Sequence, residues 1–387
     1  MKMIETLELG EVPFYWRIKK SAVQPPLDVP ARLPFAFTFM NDLQLVIQKR
    51  NPQIIHWLER VYREDANVGY LQEGHALAES YGGEFIEFFS RASALLPKPP
   101  VNAVDIGCGG IYLLQKVREQ GVMVKGIDPS PVTAAAGYKA NIEIIPDFYP
   151  SSRFTDQVDV LFHYDVLEHV EDPVAFLRAH HANLTPEGAL IFAVPDCSQH
   201  IKLGDVSMVL HEHLNYFDED SLTRVVRAAG FEPLLLEPAH HGGVLMCCAV
   251  PTQDRAAIST PVGSDSKFKN FQTKAMLALK RFYGLTHNLV RGELGLYVPL
   301  RAFPYLGQIS SDIRLRFFDD DPGLRGRYYD GFDVLVENRD DLVARPAELL
   351  IVCSLAFGHK IAKRLRENKL DKLKIVLWSE LFDEVIG

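Results

Sequence analysis

The sequence predicts an α/β protein with a Rossmann-like, mostly parallel seven-stranded sheet, a small N-terminal domain and a C-terminal α/β domain. Three observations support this prediction. From about Val101, short apolar runs alternate with amphipathic segments, a pattern typical of βαβ units. A glycine-rich turn over 104–110 closes the first apolar run and opens a helical segment. A second α/β pattern follows a long apolar-periodic helix that begins near residue 266.

Each element of the central sheet has its own local signal. Apolar runs rich in β-branched residues predict strands over 101–106, 122–127, 142–145, 158–162 and 189–194, and 233–236 and 244–250 complete the sheet. Amphipathic spacing predicts helices over 112–119, 131–138, 173–183 and 221–229. Gly230 is placed to end the last helix, because glycine adopts the left-handed conformation at little cost.

Composition shifts along the chain predict three domains. A Pro-rich and aromatic-rich opening with a helical stretch over 51–63 forms the first, 1–70. The central sheet occupies 71–252, and the polar segment PTQDRAAISTPVGSDS marks the boundary after it. The third domain, 253–387, begins with a helix over 266–290. Its further predicted strands and helix lie over 295–300, 314–318, 334–336, 349–354, 358–368 (the helix) and 375–378.

Composition and charge restrict the class of partner. The chain has 387 residues, 47% of them hydrophobic, and a formal net charge of −9, which disfavours nucleic acid and anionic membrane surfaces. Its five cysteines are scattered without a CxxC pair, so neither a disulfide framework nor a zinc ribbon is indicated. No targeting segment and no apolar run long enough to span a membrane stand out. We therefore expect a cytoplasmic protein with a small-molecule partner; the oligomeric state is not predicted.

The glycine-rich turn predicts a ligand-binding loop. Gly107, Gly109 and Gly110 lack a Cβ, so that the backbone can approach a ligand closely at the start of a helix. A dinucleotide fingerprint would need a glycine where Tyr112 stands, which disfavours NAD and FAD. Asp128, in GIDPSP at the end of the second strand, can accept both hydroxyls of a ribose. A tight turn and a helix cap remain the structural alternatives.

This order of motifs resembles the class I S-adenosylmethionine-dependent methyltransferases, whose loop has the pattern D/E-x-G-x-G-x-G. Here Ile111 replaces the last glycine, and Gly110 precedes it. The resemblance implies S-adenosylmethionine as cofactor and a set of cofactor-binding residues. These are Asp105, Gly107 and Gly109 in the loop by the methionine moiety, Asp128 on the ribose, Asp147 and Phe148 around adenine, and Asp165 near the methionine amine.

Candidate catalytic side chains cluster in the segment LHEHLNYF over 210–217, after the fifth strand. Methyl transfer needs a positioned nucleophile and, for a hydroxyl or a carbon acid, a base. His211, Glu212, His213 and Tyr216 are the candidates. In an extended segment His211 and His213 would share one face and Glu212 the other, whereas a loop would relax this constraint.

Two alternatives remain for this segment. It is either a polar loop with satisfied hydrogen bonds or a metal site. A metal would need a third ligand from elsewhere, for which His240 and His241 are candidates, and no metal is predicted. Glu168 and His169, in DVLEHV after the fourth strand, are expected to stabilise a turn, with their further role open.

Several motifs together are similar to the sugar C-methyltransferases that act on nucleotide-linked keto-deoxysugars. The similar segments span most of the chain: ELGEVPFYW, LPFAF, GYLQEGHALAESYGGEF, DVLEHV, PEGALIFAVPD, HEHLNYF and FFDDDPGLRGRYYDGFDVLV. In that family a base removes the proton next to the keto group and the enolate attacks the methyl carbon. Carried over by position, His213 and Glu212 are the base candidates and His181 a helper.

Three departures from this family stand in the sequence. Leu210 replaces the tyrosine that precedes the His-Glu-His run, and an apolar side chain cannot donate a hydrogen bond to an enolate. No cysteine precedes Cys108, so the N-terminal domain is a degenerate one without zinc ligands. The C-terminal α/β domain lacks a glycine-rich opening. The predicted function is methyl transfer to a small molecule, by C-methylation of a nucleotide-linked keto-sugar; O- or N-methylation and a catalytically decayed binding protein are the alternatives.

Overall fold

The structure is a computed structural model. It describes residues 6–14, 18–19, 29–64, 76–252, 264–329, 331–355, 357–367, 370 and 372–382. The chain divides into two compact units. The first comprises Met1–Thr38, Gln199–His211 and Ser266–Gly387, and the second comprises Phe39–Ser198 and Glu212–Asp265. The domain boundaries predicted near residues 70 and 252 stay a prediction, because a division by contacts joins segments that are distant in sequence.

The strands and helices are numbered along the chain. The strands are β1 (Leu7–Pro13), β2 (Ile18–Lys19), β3 (Arg32–Met40), β4 (Leu45–Gln48), β5 (Asn102–Ile106), β6 (Met123–Ile127), β7 (Glu143–Ile145), β8 (Val158–Tyr164), β9 (Leu184–Pro195), β10 (Asn215–Tyr216), β11 (Phe231–Pro238), β12 (Val244–Pro251), β13 (Glu293–Tyr297), β14 (Arg314–Phe318), β15 (Tyr328–Tyr329), β16 (Val336–Glu337), β17 (Leu349–Val352) and β18 (Lys374–Leu377). The helices are α1 (Pro52–Glu64), α2 (Ala76–Ser93), α3 (Tyr112–Glu119), α4 (Pro131–Ala140), α5 (Pro173–Ala179), α6 (Ser198–Leu203), α7 (Glu219–Ala228), α8 (Ser266–His287), α9 (Arg339–Ala344) and α10 (Gly358–Glu367).

The second unit contains the predicted seven-stranded sheet, with strand order β11-β12-β9-β8-β5-β6-β7. Strands β7, β6, β5, β8 and β9 are parallel, whereas β12 and β11 are antiparallel to their neighbours. Both faces of the sheet are covered by apolar cores. Successive residues of a strand point to opposite faces and therefore enter different cores. Val104 packs into the core on one face and Ala103 into the core on the other. The predicted fold class is confirmed.

Local capping explains where the crossover helices begin. Ser130 accepts a hydrogen bond from the Val132 amide at the start of α4, and Asp172 accepts one from the Ala175 amide at the start of α5. In both helices a proline follows the cap at the first helical position, where its missing N–H costs nothing. Gly230, at φ +91°, follows α7 and ends it as predicted.

The opening of the chain forms strands that its sequence pattern did not predict. In the first unit β1 and β3 pair antiparallel, and in the second unit β4 pairs antiparallel with β10. Phe14, Phe35 and Phe37 are buried, so the aromatic residues of the opening form core. Parts of the segments ELGEVPFYW and GYLQEGHALAESYGGEF lie outside the described residues.

The predicted C-terminal α/β pattern is also present. Five parallel strands of the first unit have the order β16-β14-β13-β17-β18. Tyr297, Phe318, Leu350 and Val352 pack with α10 side chains such as Leu365 in one apolar core. Among the described residues, no helix is both long and apolar enough to cross a membrane.

A buried carboxylate holds the first unit together. Asp205 is fully buried and accepts hydrogen bonds from the Tyr305 hydroxyl (3.0 Å), the Trp378 indole N–H (3.3 Å), and the amide and hydroxyl of Ser207 (2.9 and 2.8 Å). These donors come from three separate parts of the sequence. The carboxylate therefore links them at one point.

We expect Asp205→Ala to lower the free energy of unfolding by about 3 kcal/mol, because buried donors lose their acceptor and hydrogen bonds to charged groups are among the stronger ones. Urea titration followed by tryptophan fluorescence measures this effect. Asp205→Asn, which keeps the shape and one acceptor oxygen, should lose less. An unchanged unfolding midpoint in Asp205→Ala would contradict the assignment.

Candidate functional site

The predicted glycine loop lies at the carboxyl end of β5, where the chain turns into α3. Gly107 and Gly109 both adopt positive φ, +66° and +57°, a conformation that glycine reaches without a steric penalty. The amide of Gly107 donates to the Ile127 carbonyl oxygen at 2.7 Å, which ties the loop to the end of β6. The residue before α3 is Ile111, whose apolar side chain cannot accept a hydrogen bond from the first turn of the helix. The loop therefore presents bare backbone at this edge of the sheet.

The two glycines differ in the space around them. A Cβ on Gly107 would lie 2.8 Å from Val166 Cγ2. Apart from the two residues next to it in the chain, a Cβ on Gly109 would meet no atom of the described residues within 4 Å. Gly107 is thus needed for packing of the loop against the segment after β8. Open space beside Gly109 leaves room for a ligand to approach the backbone.

We expect Gly107→Ala to lower the free energy of unfolding by about 2–3 kcal/mol, because the stiff Val166 side chain cannot move away and the positive φ adds strain. Gly109→Ala should lose only about 1 kcal/mol, from the positive φ alone. Urea titrations of both variants give the comparison. The double variant Gly107→Ala/Val166→Ala should regain part of the loss; equal losses in the two single variants would show that the contact with Val166 is unimportant.

Asp128 joins the glycine loop to the end of β6. One carboxylate oxygen accepts from the Gly109 amide and the other from the Ser130 amide, each at 2.8 Å. The Thr133 hydroxyl donates to the Gly109 carbonyl oxygen at 2.7 Å. Burial raises the pKa of Asp128, and these hydrogen bonds offset part of that rise. Gly109 and Asp128, which are separated in sequence, therefore meet at one point.

Asp105 is the second carboxyl group at this edge. It is 1% exposed, and neither of its oxygens accepts a hydrogen bond from the described residues. Burial and the negative charge of Asp128 raise its pKa well above the usual value. A buried carboxyl group in this state would be stabilised by a donor or cation on a ligand.

The remaining predicted cofactor residues follow β7 and β8. Asp147 accepts from the Ser151 hydroxyl (2.7 Å), which lowers its pKa, and from the Phe148 amide (2.9 Å). The Phe148 ring is partly exposed, with the guanidinium carbon of Arg63 4.6 Å from its centre. Asp165 follows β8 with φ +56°, a conformation that aspartate adopts more readily than most residues. Its side chain reaches solvent, yet the surrounding protein reduces its hydration and raises its pKa.

Of the predicted catalytic residues, Glu212 and His213 lie with the segment that follows β8. The Glu212 carbonyl oxygen is 2.8 Å from His169 Nδ1. The His213 ring stands 5.1 Å from the His169 ring, centre to centre, at 72°. Burial lowers the pKa of both histidines. The segment over 209–214 contains a turn. It is therefore a loop, and the alternation of side chains expected for an extended strand does not hold there.

His211 and His181 have other surroundings among the described residues. His211 belongs to the first unit, where it is 1% exposed, packs against the rings of Phe14 and Phe35, and lies 3.1 Å from the Leu33 carbonyl oxygen through Nε2. His181 precedes β9 and stacks on Phe231 at 4.1 Å. It therefore lies at the amino ends of the parallel strands, opposite the glycine loop.

Glu168 and His169 join the catalytic candidates, although the sequence left their role open. His169 Nε2 is 3.5 Å from a carboxylate oxygen of Glu168, and the Tyr62 hydroxyl is 3.3 Å from His169 Nδ1. The sequence signal was the pair of titratable residues directly after an apolar strand. The suggested third metal ligand, from His240 and His241, is not placed there: His241 stacks on Tyr81 at 3.8 Å.

The central domain is similar to a known family of domains. Residues 77–236 match the family model described as a methyltransferase domain. This segment includes α2, the glycine loop, Asp128 and the group around His169. Over that segment the chain is therefore similar to methyltransferase domains, which agrees with the predicted methyltransferase class.

The curated relatives include two ubiquinone biosynthesis O-methyltransferases. The protein from Ruegeria pomeroyi is 27% identical over 155 residues, covering 36% of this chain and 62% of its own length. The one from Cereibacter sphaeroides is 27% identical over 165 residues, covering 38% of this chain and 67% of its own length. Among solved structures, 1,6-didemethyltoxoflavin-N1-methyltransferase from Burkholderia thailandensis, with 1,6-didemethyltoxoflavin and S-adenosylhomocysteine bound, is 20% identical. The match covers 57% of this chain and 96% of that one, with a TM-score of 0.38.

Proposed function

We propose that this chain transfers a methyl group from S-adenosylmethionine to a small-molecule acceptor. The observation that carries the proposal is the meeting of Gly109 and Asp128 at the carboxyl edge of the parallel strands, the edge where open α/β sheets bind their ligands. A nucleoside bound at this edge can approach the bare backbone and place its ribose hydroxyls on the buried carboxylate. The methyltransferase family model covers both residues.

The proposed cofactor contacts follow from this arrangement. Asp128 accepts the ribose hydroxyls, and the glycine loop lies along the methionine moiety together with Asp105. Phe148 packs against adenine while Asp147 accepts from its amino group. Asp165, which follows β8 with a φ of +56°, binds the methionine ammonium group.

The transfer is an in-line displacement at the sulfonium. The bond between sulfur and the methyl carbon breaks as the acceptor's nucleophilic atom bonds to that carbon, and S-adenosylhomocysteine leaves. An acceptor hydroxyl or carbon acid must also lose a proton, which a positioned base takes. Glu212 and His213 are the candidates, because both contact His169, in the segment that follows β8.

Two acceptor classes follow from different observations. Motifs along most of the chain are similar to the keto-sugar C-methyltransferases, which favours a nucleotide-linked keto-sugar as acceptor. Leu210 stands where that family has a tyrosine, and the curated relatives are O-methyltransferases, which favours a hydroxyl acceptor. We keep C-methylation as the first candidate and O-methylation as the second.

Calorimetric titration with S-adenosylhomocysteine tests the cofactor site directly. We expect saturable binding of one molecule per chain. Incubation with S-adenosylmethionine that carries an isotopically labelled methyl group, together with keto-sugar nucleotides and phenolic acceptors, then identifies the product. The position of the label separates C- from O-methylation. Cofactor binding without any product would favour the decayed binding protein, and no binding would contradict the proposal.

A further inference from the structure

Three side chains of the second unit form a compact group that the proposed cofactor contacts do not use. Glu168, His169 and His213 each offer one ligand atom, and these atoms all lie within 4.8 Å of one another. We call them the EHH group. Two come from the short 3₁₀ turn Leu167–His169 after β8, and the third comes from the loop before β10.

The hydrogen bond of His169 fixes which ring nitrogen faces the group. Nδ1 lies 2.8 Å from the Glu212 carbonyl oxygen, an acceptor only, so Nδ1 carries the proton. Nε2 of the neutral ring then carries the lone pair, and it lies 3.5 Å from a carboxyl oxygen of Glu168. Histidines that bind metals have this arrangement, with the other ring N–H donated to a backbone carbonyl.

The Glu168 carboxyl group lacks the partners that a buried carboxylate normally has. It is 1% exposed, and neither oxygen accepts a hydrogen bond from the described residues. A neutral histidine beside this carboxyl group supplies no compensating charge. A cation shared by both side chains would stabilise the charged form of a buried acid in this position.

We propose that Glu168, His169 and His213 bind one divalent first-row transition-metal ion. Two imidazoles and one carboxylate favour Zn²⁺, Fe²⁺, Co²⁺ or Mn²⁺ over Mg²⁺ and Ca²⁺, which prefer oxygen ligands. Because metal–nitrogen bonds are about 2.1 Å long, ligands around one ion lie about 3–4 Å apart, and the EHH group would need to close by only a small movement.

Such an ion would leave coordination positions open for an acceptor oxygen, and this role rests on the proposed methyl transfer. Metal binding lowers the pKa of a bound hydroxyl and holds it in place. His213 would then be a ligand, which leaves Glu212 as the base candidate. The alternative third ligands, His240 and His241, are not needed.

The test uses the full chain after removal of any histidine tag and treatment with a chelator. Titration with CoCl₂ is followed by the visible absorption of bound Co²⁺ and by calorimetry. We expect one ion per chain. Glu168→Gln and His213→Gln, which keep approximate size, should weaken Co²⁺ binding by about 100-fold or more. His181→Gln, an imidazole at the opposite edge of the sheet, is the matched control and should bind as the wild type does.

Each sample is also titrated with S-adenosylhomocysteine, which separates this inference from the proposed function. A chain that binds S-adenosylhomocysteine but not Co²⁺ would overturn the metal site and leave the methyltransferase proposal standing. A chain that binds Co²⁺ but not S-adenosylhomocysteine would contradict the methyltransferase proposal and leave the metal site standing. Wild-type Co²⁺ affinity in Glu168→Gln would also overturn the inference, and circular dichroism confirms that each variant is folded.

Discussion

Replacing Asp128 with alanine is expected to weaken the binding of S-adenosylhomocysteine by at least about 100-fold. Asp128 contacts both the glycine loop, through the Gly109 amide, and the start of α4, through the Ser130 amide. Two hydrogen bonds from ribose hydroxyls to a carboxylate are worth about 3 kcal/mol together, which corresponds to roughly 100-fold in affinity. Calorimetry with the purified variant measures this loss.

Two further variants separate direct ligand contact from loop positioning. Thr133→Val removes the hydroxyl that donates to the Gly109 carbonyl oxygen but leaves the carboxylate in place; we expect a loss of no more than about tenfold. Asp128→Asn keeps one acceptor oxygen and should fall between Thr133→Val and Asp128→Ala. Wild-type affinity in Asp128→Ala would contradict the ribose assignment. A loss in Thr133→Val as large as that in Asp128→Ala would show that Asp128 acts mainly by holding the loop.

The central sheet could be predicted because its signals are local. Helix α3 has the predicted bounds, Tyr112–Glu119, since the glycine loop before it and Gly121 after it punctuate the amphipathic pattern. Strand β14 also has its predicted bounds, Arg314–Phe318. By contrast, β3 contains Pro34 within RLPFAFTFM, and proline inside an apolar run argues against a strand. Pairing with β1 determines that strand, and pairing between distant segments leaves little trace in local sequence.

The two halves of the candidate site differ in the same way. Gly109 and Asp128 lie on consecutive βα units. The topology of a parallel sheet brings such residues together at one edge and does not depend on how distant segments fold. The contact between His169 and the Glu212 carbonyl oxygen depends on how a later loop folds back. The His-Glu-His run also looked like one unit in the sequence. Because the backbone turns within it, His211 is buried in the first unit while His213 lies near His169.

Replacing His213 with alanine is expected to lower turnover by at least about 100-fold and to leave the affinity for S-adenosylhomocysteine within about threefold of wild type. Loss of a base or of a metal ligand on the acceptor side removes assistance to the reacting group, an effect typically of 10²–10⁴. The proposed cofactor contacts involve other side chains, so binding should persist. Turnover is measured with labelled S-adenosylmethionine once an acceptor has been identified.

His181→Ala is the matched control for this experiment. His181 lies 3.0 Å from the Ala229 carbonyl oxygen through Nε2 and stacks on Phe231, away from the carboxyl edge of the sheet. Its loss should leave turnover within about threefold of wild type, whereas the helper role implied by the sequence would require a large decrease. Unchanged turnover in His213→Ala would remove His213 from the reaction, as base and as ligand. A parallel fall in cofactor affinity would show instead that His213 supports the cofactor site.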